Sequence, residues 1–258
     1  MKIIVLFKEV PDSSTERALD LETGLLQRPE SAGVVDEICE RALELALTVA
    51  GDLADAEVTV LMMARPEAAN SLRKGLAMGA DTAVHIVDDA LLGADLGLTA
   101  RVLAAALAQM EFDLVIAGNQ STDGAGGMLP AMIAELLGLP MLGELQQANV
   151  SESTVSGSYS DDDAVVRISA ELPAVISITE QLPDPRFPTF KGIMAAKKKP
   201  VSELSLGALG VDAGNLALPH TIMTAVASQP PRTAGTKIVD EGDAGVKLAA
   251  FLREHRLV

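Results

Sequence analysis

The sequence predicts an α/β protein built on a doubly wound, mostly parallel sheet, with an antiparallel meander and a C-terminal arm added to it. Three observations carry this. Apolar runs of strand length alternate with segments of helical periodicity through the first half of the chain. The first of those runs is nearly all apolar, as a strand covered on both faces requires. From about Leu145 the rhythm changes to polar, β-leaning segments, and past Pro183 to a Pro- and Lys-rich stretch and a weakly patterned tail.

Lys2 to Phe7 (KIIVLF) is the first strand. A loop rich in turn formers and charges follows. Asp36 can then cap a helix whose apolar positions Ile38, Ala42, Leu45, Ala46 and Val49 recur at helical spacing, with Gly51 at its end. Glu57 to Met63 (EVTVLMM) is the second strand, and Pro66 opens and Gly79 closes the helix after it. Ala83 to Val87 is the third strand, Leu98 to Met110 a helix, Asp113 to Ala117 (DLVIA) the next strand, and Met128 to Leu137 a helix stopped by Gly138 and Pro140. Ligands of such sheets lie beyond the carboxyl ends of the strands, which singles out the loops after Phe7, Met63 and Ala117. SESTVSGSYSDDDAVVRISAEL and then Ala174 to Thr179 (AVISIT) read as an antiparallel meander joined to the sheet.

Composition narrows the function. The 258 residues suit one or two domains, and 48% hydrophobic with 22% charged residues is the balance of a folded chain. Lys and Arg total 20 against 36 Asp and Glu, a net charge of −16, which repels phosphate backbones and anionic membrane surfaces. Nucleic-acid binding is therefore disfavoured. Cys39 is alone, so it forms no internal disulfide and no Cys-ligated metal site, and a reducing cytoplasm fits. The apolar run from Ile3 to Phe7 is too short for a signal peptide, and no later run is long enough to span a membrane. His85, His220 and His255 show no metal-binding spacing, so no metal is expected. Aromatic residues are only 2%, so the core must be aliphatic and base stacking is not available.

Neither GxGxxG nor GxxxxGK[ST] occurs. The loop after DLVIA reads Gly118-Asn119-Gln120-Ser121-Thr122-Asp123-Gly124-Ala125-Gly126-Gly127 before a helix that starts at Met128. Glycines, hydroxyls and an amide ahead of a helix N-terminus suit a phosphate or nucleotide, because backbone N–H groups can approach the anion and the helix dipole favours it. The plainer alternative is a strand-to-helix turn with a capping Asp. Asp123 disfavours a bare polyphosphate and suits a monophosphate, with its carboxylate directed at ribose or base. A second segment, Arg186 to Lys199, gathers five basic residues and no acid around Phe187, Phe190, Ile193 and Met194. Apolar anchors inside a cationic rim suit a protein docking site. A solvated helix end would explain Lys197, Lys198 and Lys199 but not the phenylalanines, and Phe190 could instead pack into its own core.

These segments resemble the β subunit of electron transfer flavoprotein almost end to end: VLFKEVPD, LRKGLAMGAD (Leu72 to Asp81), DLVIAGNQSTDG, LPAVISITEQLPDPRFPTFKGIMAAKKKP (Leu172 to Pro200) and PPRTAG (Pro230 to Gly235). The resemblance implies an adenine-nucleotide-hydrolase-like three-layer fold, with residues 1–206 as the nucleotide-binding domain, meander and docking loop (about 183–200) included. Residues 207–258 become an arm packing on an α subunit. It also implies an electron carrier rather than an enzyme with its own turnover. FAD is held mostly by the α subunit, and AMP is bound structurally in this one. Electrons come from acyl-CoA and related dehydrogenases and pass to a membrane quinone oxidoreductase, as in fatty acid oxidation. Carried over by position, the AMP site takes Leu6, Lys8, Ala64, Gly118 to Gly124, Gly126, Gly127 and Met128. Ser13 and Val35 form the flavin-facing wall, where many members carry an aromatic. The docking loop takes Arg186, Phe187, Phe190, Ile193, Met194, Lys197 and Lys198, with Phe190 as its anchor. Two alternatives stay open: a bifurcating relative with a second FAD in place of AMP, and a stand-alone adenine-nucleotide enzyme or sensor. The last would want a glycine-rich loop after the first strand, where Lys8-Glu9-Val10-Pro11-Asp12 has none.

Overall fold

The structure is a computed structural model and describes residues 1–28, 33–215, 218, 220–232, 235 and 237–258. The chain forms two compact units, Met1–Thr224 and Ala225–Val258.

The larger unit is built on a seven-stranded parallel sheet. Its strands are β1 (Lys2–Phe7), β4 (Glu57–Met63), β5 (Thr82–Ile86), β6 (Leu114–Gly118), β7 (Met141–Leu145), β11 (Ala174–Ile178) and β12 (Val201–Leu204), in the spatial order β12-β5-β4-β1-β6-β11-β7. β1 lies in the middle, and both faces of the sheet are covered there. Ile3, Val5 and Phe7 point to one side, where α1 (Glu37–Asp52) and α2 (Ala69–Met78) pack. Ile4 and Leu6 point to the other, against α3 (Leu96–Leu107) and α4 (Leu129–Leu137). The chain builds outward from β1 through β4 and β5, then returns to place β6 on β1's other side. That reversal opens a crevice at the carboxyl ends of β1 and β6.

Two short strands, β2 (Glu9–Pro11) and β3 (Gly33–Val35), pair antiparallel beside this crevice. A separate three-stranded antiparallel sheet joins β8 (Gln147–Val150), β9 (Thr154–Ser160) and β10 (Val165–Glu171). The expected meander thus ends at Glu171. Ala174–Ile178 does not continue it but enters the central sheet, parallel to both β6 and β7, and all five of its residues are buried.

Helix starts follow their caps. α3 begins at Leu96, ahead of the expected Leu98, because the Asp95 carboxylate accepts from Leu98 N at 2.7 Å. Asp36 occupies the N-cap of α1, yet its side chain does not cap that helix. The larger unit also runs past residue 206. Leu206 and Leu209 of α6 (Leu206–Leu209) are buried, and Asp95 Oδ2 accepts from the N–H and hydroxyl of Thr221 at 2.6 and 2.9 Å. Within the smaller unit, α7 (Ala244–Glu254) buries no residue, and the Phe251 ring stacks on His255 with centroids 4.2 Å apart. Thr233 and Ala234 of the PPRTAG element lie outside the described residues.

Candidate functional site

The loops leaving β1 and β6 meet at the crevice through charge. Lys8, one residue beyond β1, donates from Nζ to Ser121 Oγ at 2.9 Å and to Asp123 Oδ1 at 2.6 Å. Asp123 Oδ2 takes Arg28 Nη2 at 2.5 Å. The Asp123 side chain is 1% exposed. Burial alone would push its carboxyl up, but hydrogen bonds and charge from Lys8, then Arg28 and Ser121, hold it far below the usual carboxylate range. The carboxylate expected to reach ribose or base is therefore turned inward as the tie between two elements.

Asp36 holds the same loop from the other side. Its Oδ2 accepts from Thr122 N at 2.9 Å and from the Thr122 hydroxyl at 3.4 Å, while its Oδ1 is buried with no partner. Burial raises its pKa, the Thr122 N–H opposes, and the Asp123 charge raises it further. Cys39, one turn along α1, is fully buried and its thiol is pushed up to about 12 by burial first and Asp36 second, so it offers no thiolate chemistry.

With these side chains turned inward, the loop shows its backbone outward. Gly124, Gly126, Gly127 and Met128 are exposed, and no side chain caps α4. Gly127 has φ +63°, a conformation that only glycine adopts without strain. An uncapped helix N-terminus beside an exposed glycine main-chain loop fits an anion such as a nucleotide monophosphate. Gly118 has a different role: a Cβ there would lie 2.5 Å from Ile38, so it is the packing of α1 over β6 that requires glycine.

The remaining residues fall as follows. Asn119 N donates to Ile178 O at 2.9 Å, pinning the start of the loop to β11, and Gln120 is exposed. Ala64 follows β4, its N–H donated to Ile86 O at 3.2 Å. The Leu6 side chain is in the core, so only its main chain lies near the crevice. Ser13 is exposed. Val35, expected on the flavin-facing wall, is 3% exposed and packs in the core with Ile38. Strand alternation makes Val34 the outward residue of β3.

The docking segment is fastened at its ends and bare in its middle. Arg41 of α1 donates to Leu182 O and Asp184 Oδ1, both at 2.6 Å. Arg186 forks onto Glu44 with two 2.8 Å bonds, and its N–H adds a third at 2.9 Å. Arg186 is thus an anchor of the loop rather than part of a free rim. Thr189 caps α5 (Phe190–Ala196) by accepting from Gly192 N at 3.0 Å. Lys199 is also internal: its Nζ donates to the carbonyls of Leu76, Gly79 and Ala80 at the end of α2. Between these ties Phe187 and Phe190 are 92% and 81% exposed, and Ile193 and Met194 stand about half out. Phe190 is not a core residue of this chain. Lys197 and Lys198 remain on the surface.

Among the described residues no cluster of His, Cys, Asp and Glu is placed to hold a metal, and no helix is long and apolar enough to cross a membrane. Fold and site together define a doubly wound α/β protein with a glycine-rich main-chain loop at its switch point and a separate loop that exposes two phenylalanines. The electron transfer flavoprotein domain model matches residues 23–209. The chain is 44% identical, over 99% of both chains, to electron transfer flavoprotein subunit beta of Mycobacterium tuberculosis, and equally so to that of Mycobacterium leprae. It is 32% identical, over 78% of this chain and 77% of the relative, to caffeyl-CoA reductase-Etf complex subunit CarD of Acetobacterium woodii. The chain belongs to the β-subunit family of electron transfer flavoproteins.

Proposed function

We propose that this chain pairs with an α subunit in a soluble, cytoplasmic heterodimer that carries electrons on FAD from acyl-CoA and related dehydrogenases to a membrane quinone oxidoreductase. In this reading AMP is bound structurally at the β1/β6 crevice. The observation that carries it is the division of labour on the surface: an inward-tied, backbone-presenting loop and, apart from it, a segment from Arg186 to Lys199 with no acid and two bare phenylalanines. FAD, held mostly by the α subunit, supplies the redox chemistry when bound. The residues of this chain bind and orient. Gly126, Gly127 and Met128 would offer N–H groups to the phosphate, the Gly124 N–H being taken by Asp123 Oδ1 at 2.6 Å; Ala64 and the end of β1 would flank the base and ribose, and Ser13 with Val34 would shape the flavin-side wall. Phe190 and Phe187 would seat on the dehydrogenase. No side chain here needs to exchange a proton with a substrate.

The test is co-expression with the α subunit. The heterodimer should carry FAD whose absorbance bleaches on adding an acyl-CoA and its dehydrogenase, whereas this chain alone should hold no stoichiometric FAD. A lone chain that binds FAD stoichiometrically and is reduced in the same assay overturns the reading.

A further inference from the structure

The excursion between β2 and β3 folds on itself. Asp20 N donates to Leu25 O and Gln27 N to Ala18 O, both at 2.9 Å, and Leu19 bridges Leu26 antiparallel. Its apolar contacts with the body are few: Met223 packs against Gly24 and Leu25 lies at Gly93, while Leu19 and Leu21 are 50% and 57% exposed. Its polar grip is concentrated on the nucleotide loop. From one leg of the hairpin, Arg17 donates to Thr122 O. From the other, Arg28 reaches Asp123 Oδ2 with Nη2 and Glu9 O with Nη1 at 3.1 Å, while its own carbonyl accepts from Arg65 Nη2 at 3.1 Å. Two arginines on opposite legs thus hold consecutive residues of one loop.

We propose, resting on the nucleotide reading above, that Arg28, with Arg17, is a positioning residue that clamps this excursion onto the loop after β6 and sets how slowly AMP leaves the heterodimer. The carboxylate of Asp123 is shared in a way that isolates the clamp: Oδ1 belongs to Lys8 at the end of β1, and Oδ2 to Arg28 on the excursion. Loss of Arg28 leaves Asp123 paired with Lys8, so the loop keeps that tie while the excursion is held to it by Arg17 alone. The forked guanidinium matters, since it serves Glu9 O and Asp123 together, which a lysine's single ammonium does not reproduce.

The experiment uses the α/β heterodimer, measuring AMP by chromatography after transfer to AMP-free buffer and amide hydrogen exchange over residues 12–28. Arg28→Gln should speed AMP loss about tenfold, as truncating one partner of a shielded charge pair acts on the off-rate. Exchange in the excursion should rise, FAD content should hold, and Arg28→Lys should fall between. Should Arg28→Gln fail to assemble, Arg17→Gln carries the same expectation in the same direction. Unchanged AMP loss, with or without freer exchange, overturns the clamp alone. A wild-type heterodimer that holds no AMP overturns the nucleotide reading and the clamp with it.

Discussion

The loop after β6 and the segment after β11 leave the same carboxyl edge of one sheet, but they dispose of their side chains in opposite ways. The first turns its charges inward. Asp123 is 1% exposed between Lys8 and Arg28, Thr122 is tied to Asp36, and what remains outside is glycine main chain. The second uses Arg186 and Lys199 for attachment, to Glu44 and to the end of α2, and leaves its aromatics and its other lysines in water. The contrast teaches that ionic ties fix the position of a loop while the groups left over determine what it can bind. Main-chain N–H groups suit a small anion, and bare phenylalanines suit another protein.

The comparison breaks most visibly at Phe190. Phe190→Ala should cost about 3 kcal/mol of dehydrogenase affinity, as loss of a central aromatic anchor does, with the melting temperature unmoved because the ring touches no core. A titration of electron-transfer rate against dehydrogenase concentration reads this, and a lower melting temperature with intact affinity would put Phe190 back in a core.

Asp123→Ala attacks the other loop and should cost about 2 kcal/mol of stability, below the usual cost of breaking a buried pair because Lys8 and Arg28 can rehydrate. Denaturant unfolding measures it. The pH dependence has a fixed sign. A carboxyl lowered on folding stabilises above its unfolded pKa of about 3.9 and loses that contribution as pH falls through its native value, so the wild type should lose stability toward strong acid and the variant less so.

Asp36 has the opposite sign. Its pKa is raised on folding, so the native state binds its proton more tightly and stability falls as pH rises through that window. Asp36→Asn keeps an acceptor for Thr122 N and replaces the charged orphan oxygen with a neutral group. It should be about 1 kcal/mol more stable than wild type at pH 7, with the difference closing as pH falls toward 4. Thermal melts across that range measure the difference, and a variant that is less stable at pH 7 contradicts the assignment.

The smallest effect belongs to the rim. Lys197→Gln with Lys198→Gln should slow association with the dehydrogenase severalfold at low salt and flatten its salt dependence, with dissociation unchanged. Stopped-flow mixing at two ionic strengths reads both. Lys199 is excluded from this pair because its ammonium closes the end of α2.

Much of this architecture was legible from period and punctuation: KIIVLF reads as a strand covered on both faces and is one, EVTVLMM and DLVIA read as strands of the same sheet and are, and Gly79 and Gly138 end the helices they follow. AVISI carries the same continuous apolar signature, which is the signal that assigns it to the parallel sheet; its polar β neighbours masked it. Val35 points into the core and Val34 out of it, a distinction composition does not make, since in a strand one residue reverses the face. The ties of Asp123 to Lys8 and Arg28 span most of the larger unit's first half in sequence, and no local pattern announces them. Lys199 differs from Lys197 and Lys198 only through the helix end it meets in space.

The central claim is that the crevice between β1 and β6 carries a structural adenine nucleotide in a flavin-bearing heterodimer, and it is tested most directly by what the purified complex releases. Denaturing the co-expressed α/β complex and separating the released compounds by chromatography should yield one FAD and one AMP per heterodimer. Two FAD with no AMP, or FAD with no adenine nucleotide beside it, would contradict the account.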